Sequence, residues 1–302
     1  MFMQKLPNLI IIGVHKAAST SLFTYLSFHP EVFCPDKKEI HYFTPIRFGK
    51  ATEDIKKYKK YFEGAKDQKY LLDASPSYFY GVEAIMTRMA ELLPSHKAIL
   101  ILREPTDRFV SFYNSLKAKL RIDNAETFAS FVKESFKRHP EPVEDNVYHR
   151  GIREGQYIDY LPPWVEHYGD ELKIIYFEDL VSDPESVMVD LAGWLGLDDS
   201  FFKNKVYTNE NKTIYVKNKA LHTAALFVNN KMETFWRRNK MIKQKLRDFY
   251  YIFNKKANQG KQIGAQEVEK LRQFYQPSNA ELAKYLRANN LKLPKWLQSE
   301  VI

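Results

Sequence analysis

The stretch Gly13-Val-His-Lys-Ala-Ala-Ser-Thr-Ser-Leu22 joins a short apolar run to a helical pattern. Such a turn aims backbone N–H groups and the positive end of a helix at one point, which suits an anion. Lys16 adds a compact positive charge. Ala17 and Ala18 follow it, and Ser19, Thr20 and Ser21 add hydroxyl donors near the helix start. The spacing is not G-x-x-x-x-G-K-[ST], because the lysine precedes the small residues, so this is no ordinary NTPase loop. The plainer alternative is a helix capped by Ser19 beside an incidental lysine. Arg103 ends the apolar run Leu100-Ile-Leu102, where a charge is costly without a partner. Its planar fork suits a phosphate, and a carboxylate is the alternative partner. Ser111, eight residues on, lies in the following helix and can turn its hydroxyl to the same anion. Arg108 is expected to pair with Glu104 on that helix.

These groups need elements to position them. Residues 8–13, 70–73, 97–102 and 172–177 read as short buried strands. Helical patterns follow at about 19–29, 81–93, 105–120, 157–168 and 184–195, with an exposed lysine-rich helix within 50–67. Pro105 suits a first helical position. The polar stretch 137–154, with Pro140 and Pro142, reads as a loop, and the tail over 220–256 and 265–290 as helices. Strands alternating with helices predict an α/β fold: a central parallel sheet with helices on both faces and a helical C-terminal extension. Residues 1–302 are expected to form one domain, with the helical part from about 220 packed on it. Ligands in such folds sit at the carboxyl ends of strands. Three informative loops leave strand ends there: 13–21, 73–78 and 103–111.

The 302 residues carry a net charge of +9, with 44% hydrophobic and 27% charged residues, which excludes a wholly disordered or fibrous chain. No apolar run approaches the ~18–20 residues of a membrane helix. With Cys34 as the sole cysteine there is neither an internal disulfide nor a cysteine-based metal cluster, and a cytoplasmic protein is expected. Residues 203–261 hold 15 Lys and Arg against three acids, leaving the remainder slightly acidic. That concentration suits an anionic partner or a membrane surface, or is simply a solvated face.

Taken together, Gly13-x-x-Lys16-x-x-Ser19-Thr20-x-Leu22, Lys38-Glu39-Ile-His41-Tyr-Phe43, Arg103-x-Pro105-x-x-Arg108-x-x-Ser111-x-Tyr113, Tyr176-Phe-Glu178-Asp179-Leu180 and a closing Leu271…Phe274…Pro277-x-Asn279…Leu282…Trp296 resemble sulfotransferases. The pattern is nearest the heparan-sulfate-type enzymes and their bacterial relatives. The resemblance implies a P-loop-like three-layer fold and 3′-phosphoadenosine 5′-phosphosulfate (PAPS) as sulfuryl donor, with no metal required. It implies that Lys16 and the loop Ala17–Ser21 bind the 5′-phosphosulfate and that Arg103 and Ser111 bind the 3′-phosphate. Lys217 and Asn218 match a late loop that closes over the nucleotide. Lys16 would stabilise the leaving oxygen. Glu39 would be the base that takes the acceptor's proton, with His41 orienting it or sharing the transfer. The acceptor contacts are expected at Asp73, Ser75 and Tyr78, whose alternative is turn chemistry around Pro76. The acceptor itself would offer a hydroxyl or amine, with an anionic molecule, a saccharide or a glycolipid as the candidates.

The chain departs from the family at two points. The family often has Gly where Ala18 stands, and alanine fits there only if no positive φ is needed. The segment Asp73-Ala-Ser-Pro-Ser-Tyr78 lacks the lysine that heparan-sulfate enzymes often carry. Two other readings stay open. A kinase of similar fold would want a hydroxyl directly after the loop lysine, where this chain has Ala17. A nucleic-acid or membrane-surface binder would use the basic tail, with no standard motif behind it.

Overall fold

The computed structural model describes residues 5–93, 95–123, 125–139, 146–208, 223–225, 228, 232 and 263–298. The run Leu9–Gly13 forms strand β1, buried along its whole length. β2 is Val32–Phe33, β3 is Tyr70–Ala74, β4 is Lys97–Leu102 and β5 is Leu172–Tyr176. All pairings are parallel, in the order β2-β3-β1-β4-β5. Apolar side chains on both faces of β1 and β4 are buried, as expected of central strands covered on each side. The chain leaves β1 toward β3 and β2 and later returns to β1's other edge with β4, so the order reverses at the β1–β4 boundary. That is where open α/β sheets leave a crevice.

The helices are α1 (Ser19–Leu26), α2 (Ile55–Lys59), α3 (Val82–Leu92), α4 (Pro105–Ala118), α5 (Phe128–Arg138), α6 (Val147–Arg153), α7 (Leu161–Tyr168), α8 (Phe177–Ser182), α9 (Pro184–Leu195), α10 (Ala265–Ala288) and α11 (Lys295–Gln298). Pro105 opens α4, and the Glu104 side chain caps it by accepting from Asp107 N–H at 2.6 Å. On α10, Leu282 and Leu286 join the core around the sheet. Leu271 and Tyr275 join a second cluster with Phe109, Phe131 and Ile152.

Three expectations need correction. The stretch 50–67 is only in part an exposed helix: α2 carries exposed Lys56 and Lys57 but is short, a 3-10 turn, Lys60–Phe62, follows it, and both Tyr58 and Phe62 are fully buried. The stretch 137–154 is not all loop, because Asn146 caps α6 by accepting from Tyr148 N–H at 2.9 Å. Its short apolar face, Ile152 with Gly151, packs on other helices rather than repeating along the sequence. Arg108 does not pair with Glu104. It is fully buried, donates to the Gly151 carbonyl and lies 3.8 Å from Glu154. The helices expected over 220–256, with Lys217 and Asn218, lie outside the described residues apart from 223–225, 228 and 232. Among the described residues no helix is long and apolar enough to cross a membrane.

Candidate functional site

The loop from β1 to α1 lies under the crevice. A side chain on Gly13 would meet Phe79 Cβ at 2.7 Å and Leu100 Cδ1 at 2.9 Å, so only glycine lets the strand end this close to its neighbours. Val14 N–H then bonds to the Ile101 carbonyl at 2.9 Å, tying the loop to β4. Both Lys16 (φ 71°) and Ala18 (φ 64°) are left-handed. Position 18 therefore does take a positive φ, against the condition set for alanine there, at a cost of about 1–2 kcal/mol relative to glycine. Ala18, not Ser19, caps α1, and its side chain makes no capping bond to the first-turn N–H groups. Those N–H groups and the helix dipole are left for an anion. Ala17 is fully buried and offers only its backbone, whereas Thr20 is half-exposed and Ser19 and Ser21 are largely buried.

Lys16 is half-buried, and its carbonyl accepts from Arg103 Nη1 at 2.9 Å. The two loops at the ends of β1 and β4 are thus joined directly. Burial pulls the Lys16 ammonium down to about 8, with the nearby Lys119 and Arg103 charges adding to it. Lys119 follows α4 and was not singled out by the sequence, where it is one lysine among many. Arg103 stacks on the Phe177 ring at 4.1 Å, and Tyr157 Oη donates to its carbonyl at 2.8 Å. It has no carboxylate partner within 4 Å among the described residues, and its Nε is buried without an acceptor. A guanidinium with no carboxylate partner, beside a helix start that its N-cap side chain leaves unbonded, fits a phosphorylated ligand. Ser111 is half-buried on α4.

Glu39 and His41 enter from the segment after β2, both with φ 60°. Lys38 Nζ lies 2.8 Å from Glu39 Oε1 and 3.4 Å from Ser19 Oγ, so it spans the carboxylate and the phosphate-type loop. His41 Nε2 lies 3.6 Å from Glu39 Oε2, while its Nδ1 meets Ser77 Oγ at 3.1 Å and Thr44 Oγ1 at 3.2 Å. Burial raises the Glu39 carboxyl, but His41 and Lys38 outweigh it and hold the group well below the usual carboxylate range. The side chain remains 40% exposed.

The expected acceptor contacts are placed otherwise. Asp73 and Ser75 have no exposure and Tyr78 none either. Their polar atoms meet one another: Asp73 accepts from Tyr58 Oη (2.8 Å), Tyr78 Oη (2.9 Å) and Ser75 Oγ (2.9 Å). All three are fully buried, with their polar atoms turned toward one another.

The sequence also missed a charge cluster behind Lys16. The fully buried Glu154, just after α6, accepts from Arg47 Nη1 at 2.7 Å and Arg150 Nε at 3.0 Å, with Arg108 at 3.8 Å. Burial, opposed by Glu154 and aided by Arg150, pulls His15 down to about 3. The ring is therefore neutral at pH 7, and its Nε2 can accept from Arg150 Nη2 at 3.3 Å. The cluster thus anchors the residue next to Lys16. Its members come from four separate segments, so no local spacing announces it.

Comparison with known proteins fits this geometry. The model of the sulfotransferase domain matches residues 6–274. The bifunctional heparan sulfate N-deacetylase/N-sulfotransferase 1 of Caenorhabditis briggsae is 24% identical over 305 residues, covering 99% of this chain. The chain spans 32% of that relative's length. The human heparan sulfate glucosamine 3-O-sulfotransferase 5 is 27% identical over 259 residues, covering 85% of this chain and 72% of its own. The crystal structure of a sulfotransferase from Alicyclobacillus acidocaldarius shares the fold, with a TM-score of 0.58 and 24% identity over 76% of this chain and 94% of that one. On the match over most of its length, the chain belongs to the sulfotransferase domain family.

Proposed function

We propose that this protein transfers the sulfuryl group of PAPS to a hydroxyl or amine of an acceptor, with residues 1–302 acting as one sulfotransferase domain. The observation that carries the proposal is Lys38, whose ammonium spans Ser19 of the anion loop and the Glu39 carboxylate. It keeps a base within one side chain of the place where an anion would sit. PAPS, when bound, supplies an activated sulfuryl group on its 5′-phosphate. Lys16 and the first-turn N–H groups of α1 hold the 5′ end, and Lys16 offsets charge on the departing oxygen. Arg103 and Ser111 take the 3′-phosphate, and Lys217 and Asn218 complete the cofactor contacts. Glu39 accepts the proton of the acceptor, and His41 steadies that carboxylate through Nε2. In-line transfer then needs positioning and charge stabilisation more than covalent help.

The names of both curated relatives point to saccharide acceptors. A glycan, with anionic groups near the basic residues, is the acceptor class we favour, and the basic stretch 203–261 is the part we assign to an anionic acceptor or a membrane surface. Recognition of nucleic acid is not part of this reading. A single cysteine, Cys34, fits a cytoplasmic protein.

Calorimetry with adenosine 3′,5′-bisphosphate (PAP), ATP with Mg²⁺, and duplex DNA tests the donor. Binding of PAP alone supports the proposal, and preference for ATP or DNA overturns it. Arg103→Ala should weaken PAP by about 10- to 100-fold, consistent with losing a charge-assisted bond. It should weaken adenosine 5′-monophosphate much less, through the lost tether to the Lys16 carbonyl alone, and equal losses would remove Arg103 from the 3′-phosphate. Labelled PAPS with de-N-sulfated heparin tests the acceptor class.

Lys16 gives a pH signature. With its free ammonium at about 8, a bound anion favours the charged form and raises that value. PAP affinity should therefore hold below about pH 8 and fall by up to tenfold per pH unit above it. A flat Kd between pH 7 and 9.5 would contradict Lys16 as a contact.

A further inference from the structure

Glu39 and His41 share an unusual feature: both are non-glycine residues held at φ 60°. Left-handed backbone in such residues persists only where surrounding bonds over-determine it. Three backbone N–H groups of this segment are fixed from the end of β3 and the loop after it. Glu39 N–H donates to the Ala74 carbonyl at 3.1 Å. His41 N–H donates to Ser75 Oγ at 3.1 Å. Phe43 N–H donates to Tyr78 Oη at 3.4 Å. Two of the three acceptors are hydroxyl oxygens, and a hydroxyl can turn either way. What sets their direction is Asp73, which accepts the protons of Ser75 and Tyr78 at 2.9 Å each. With those protons engaged, the hydroxyl lone pairs face residues 41 and 43.

We propose that Asp73 is a positioning residue, whose carboxylate orients the Ser75 and Tyr78 hydroxyls to accept the His41 and Phe43 N–H groups and so holds Glu39 and His41 where their side chains meet. The inference rests on the proposed roles of Glu39 and His41 for its catalytic consequence, but its structural part stands alone. It replaces acceptor contact as the role of Asp73, Ser75 and Tyr78. Tyr58 supplies the internal control. Its hydroxyl donates to the same carboxylate at 2.8 Å but accepts from neither residue 41 nor 43, and its ring stacks on Tyr42 at 4.4 Å.

Four variants separate positioning from mere packing: Ser75→Ala, Ser75→Thr, Asp73→Asn and Tyr58→Phe. Amide hydrogen exchange of the peptide spanning residues 39–43, read with no ligand present, should speed up about tenfold or more in Ser75→Ala and Asp73→Asn. It should stay near wild type in Ser75→Thr, which keeps the hydroxyl, and in Tyr58→Phe. PAP affinity should stay within about threefold in all four, because the anion loop is untouched. Sulfuryl transfer from PAPS to de-N-sulfated heparin should fall about 10- to 100-fold in kcat for Ser75→Ala and Asp73→Asn only, with KM for PAPS little changed. Unchanged exchange in Ser75→Ala, or a kcat loss in Tyr58→Phe equal to that in Ser75→Ala, overturns the proposal. Failure of wild type to bind PAP would instead overturn the donor assignment, and the exchange result would still decide whether Asp73 holds the segment.

Discussion

Glu39→Gln is expected to lower turnover by about 10²–10⁴-fold, the usual range for losing a general base. PAP affinity should stay within about threefold, because the anion loop and Arg103 are unchanged. The amide keeps the shape and still faces Lys38 and His41, but it cannot take a proton. The depressed carboxyl adds a second signature. A base works deprotonated, so its activity is lost only as pH falls through its folded pKa, which lies below the usual carboxylate range. Glu39 should therefore impose no acidic limb on kcat/KM at about pH 5 or above. The same depression makes the resting carboxylate a weak base. Near-normal turnover in Glu39→Gln would remove this residue from the mechanism.

Glu154→Gln should be the most destabilising single change at the site. One carboxylate faces three guanidiniums, and both Glu154 and Arg108 are fully buried. Removing the negative charge leaves buried cations uncompensated, which costs about 3–5 kcal/mol. In a chain of this size that corresponds to a Tm drop of about 5–8 °C. Burial raises the Glu154 carboxyl, but Arg150, Arg47, His15 and Arg108 together hold it well below the usual range. A depressed folded pKa contributes stability that is fully present above the unfolded value of about 4.3 and is lost as pH falls toward the folded one. The gap between wild type and Glu154→Gln should be widest above about pH 5 and shrink in acid. A Tm change under about 2 °C at pH 7, well below the expectation for a broken buried pair, would contradict the cluster's role.

Much of the framework was legible locally. Leu9–Gly13 and Lys97–Leu102 are continuous apolar runs because their strands are covered on both faces. Pro105 announced the start of α4 because proline suits a first helical turn, whereas the Glu104 cap became visible only in the structure. The stretch 137–154 misled because its prolines suggested a loop, while α6 packs through only a few residues supplied by distant neighbours. The two-residue strand β2 is too short to carry a period.

Residue type and spacing alone determined the parallel sheet, the anion-seeking turn around Lys16 and the placing of Arg103 at a strand end. Each depends on backbone propensity or side-chain chemistry within about ten residues. Tertiary structure decided which of the chemical residues face the crevice. Asp73, Ser75 and Tyr78 sit at a strand end like the others, yet they are buried because Tyr58, some 15 residues earlier, closes over the carboxylate. Arg108 lies 3.8 Å from Glu154, 46 positions away, rather than beside its helix neighbour Glu104, because α4 packs against α6. Lys16 and Arg103 meet only because β4 pairs with β1, a long-range register that no local pattern encodes.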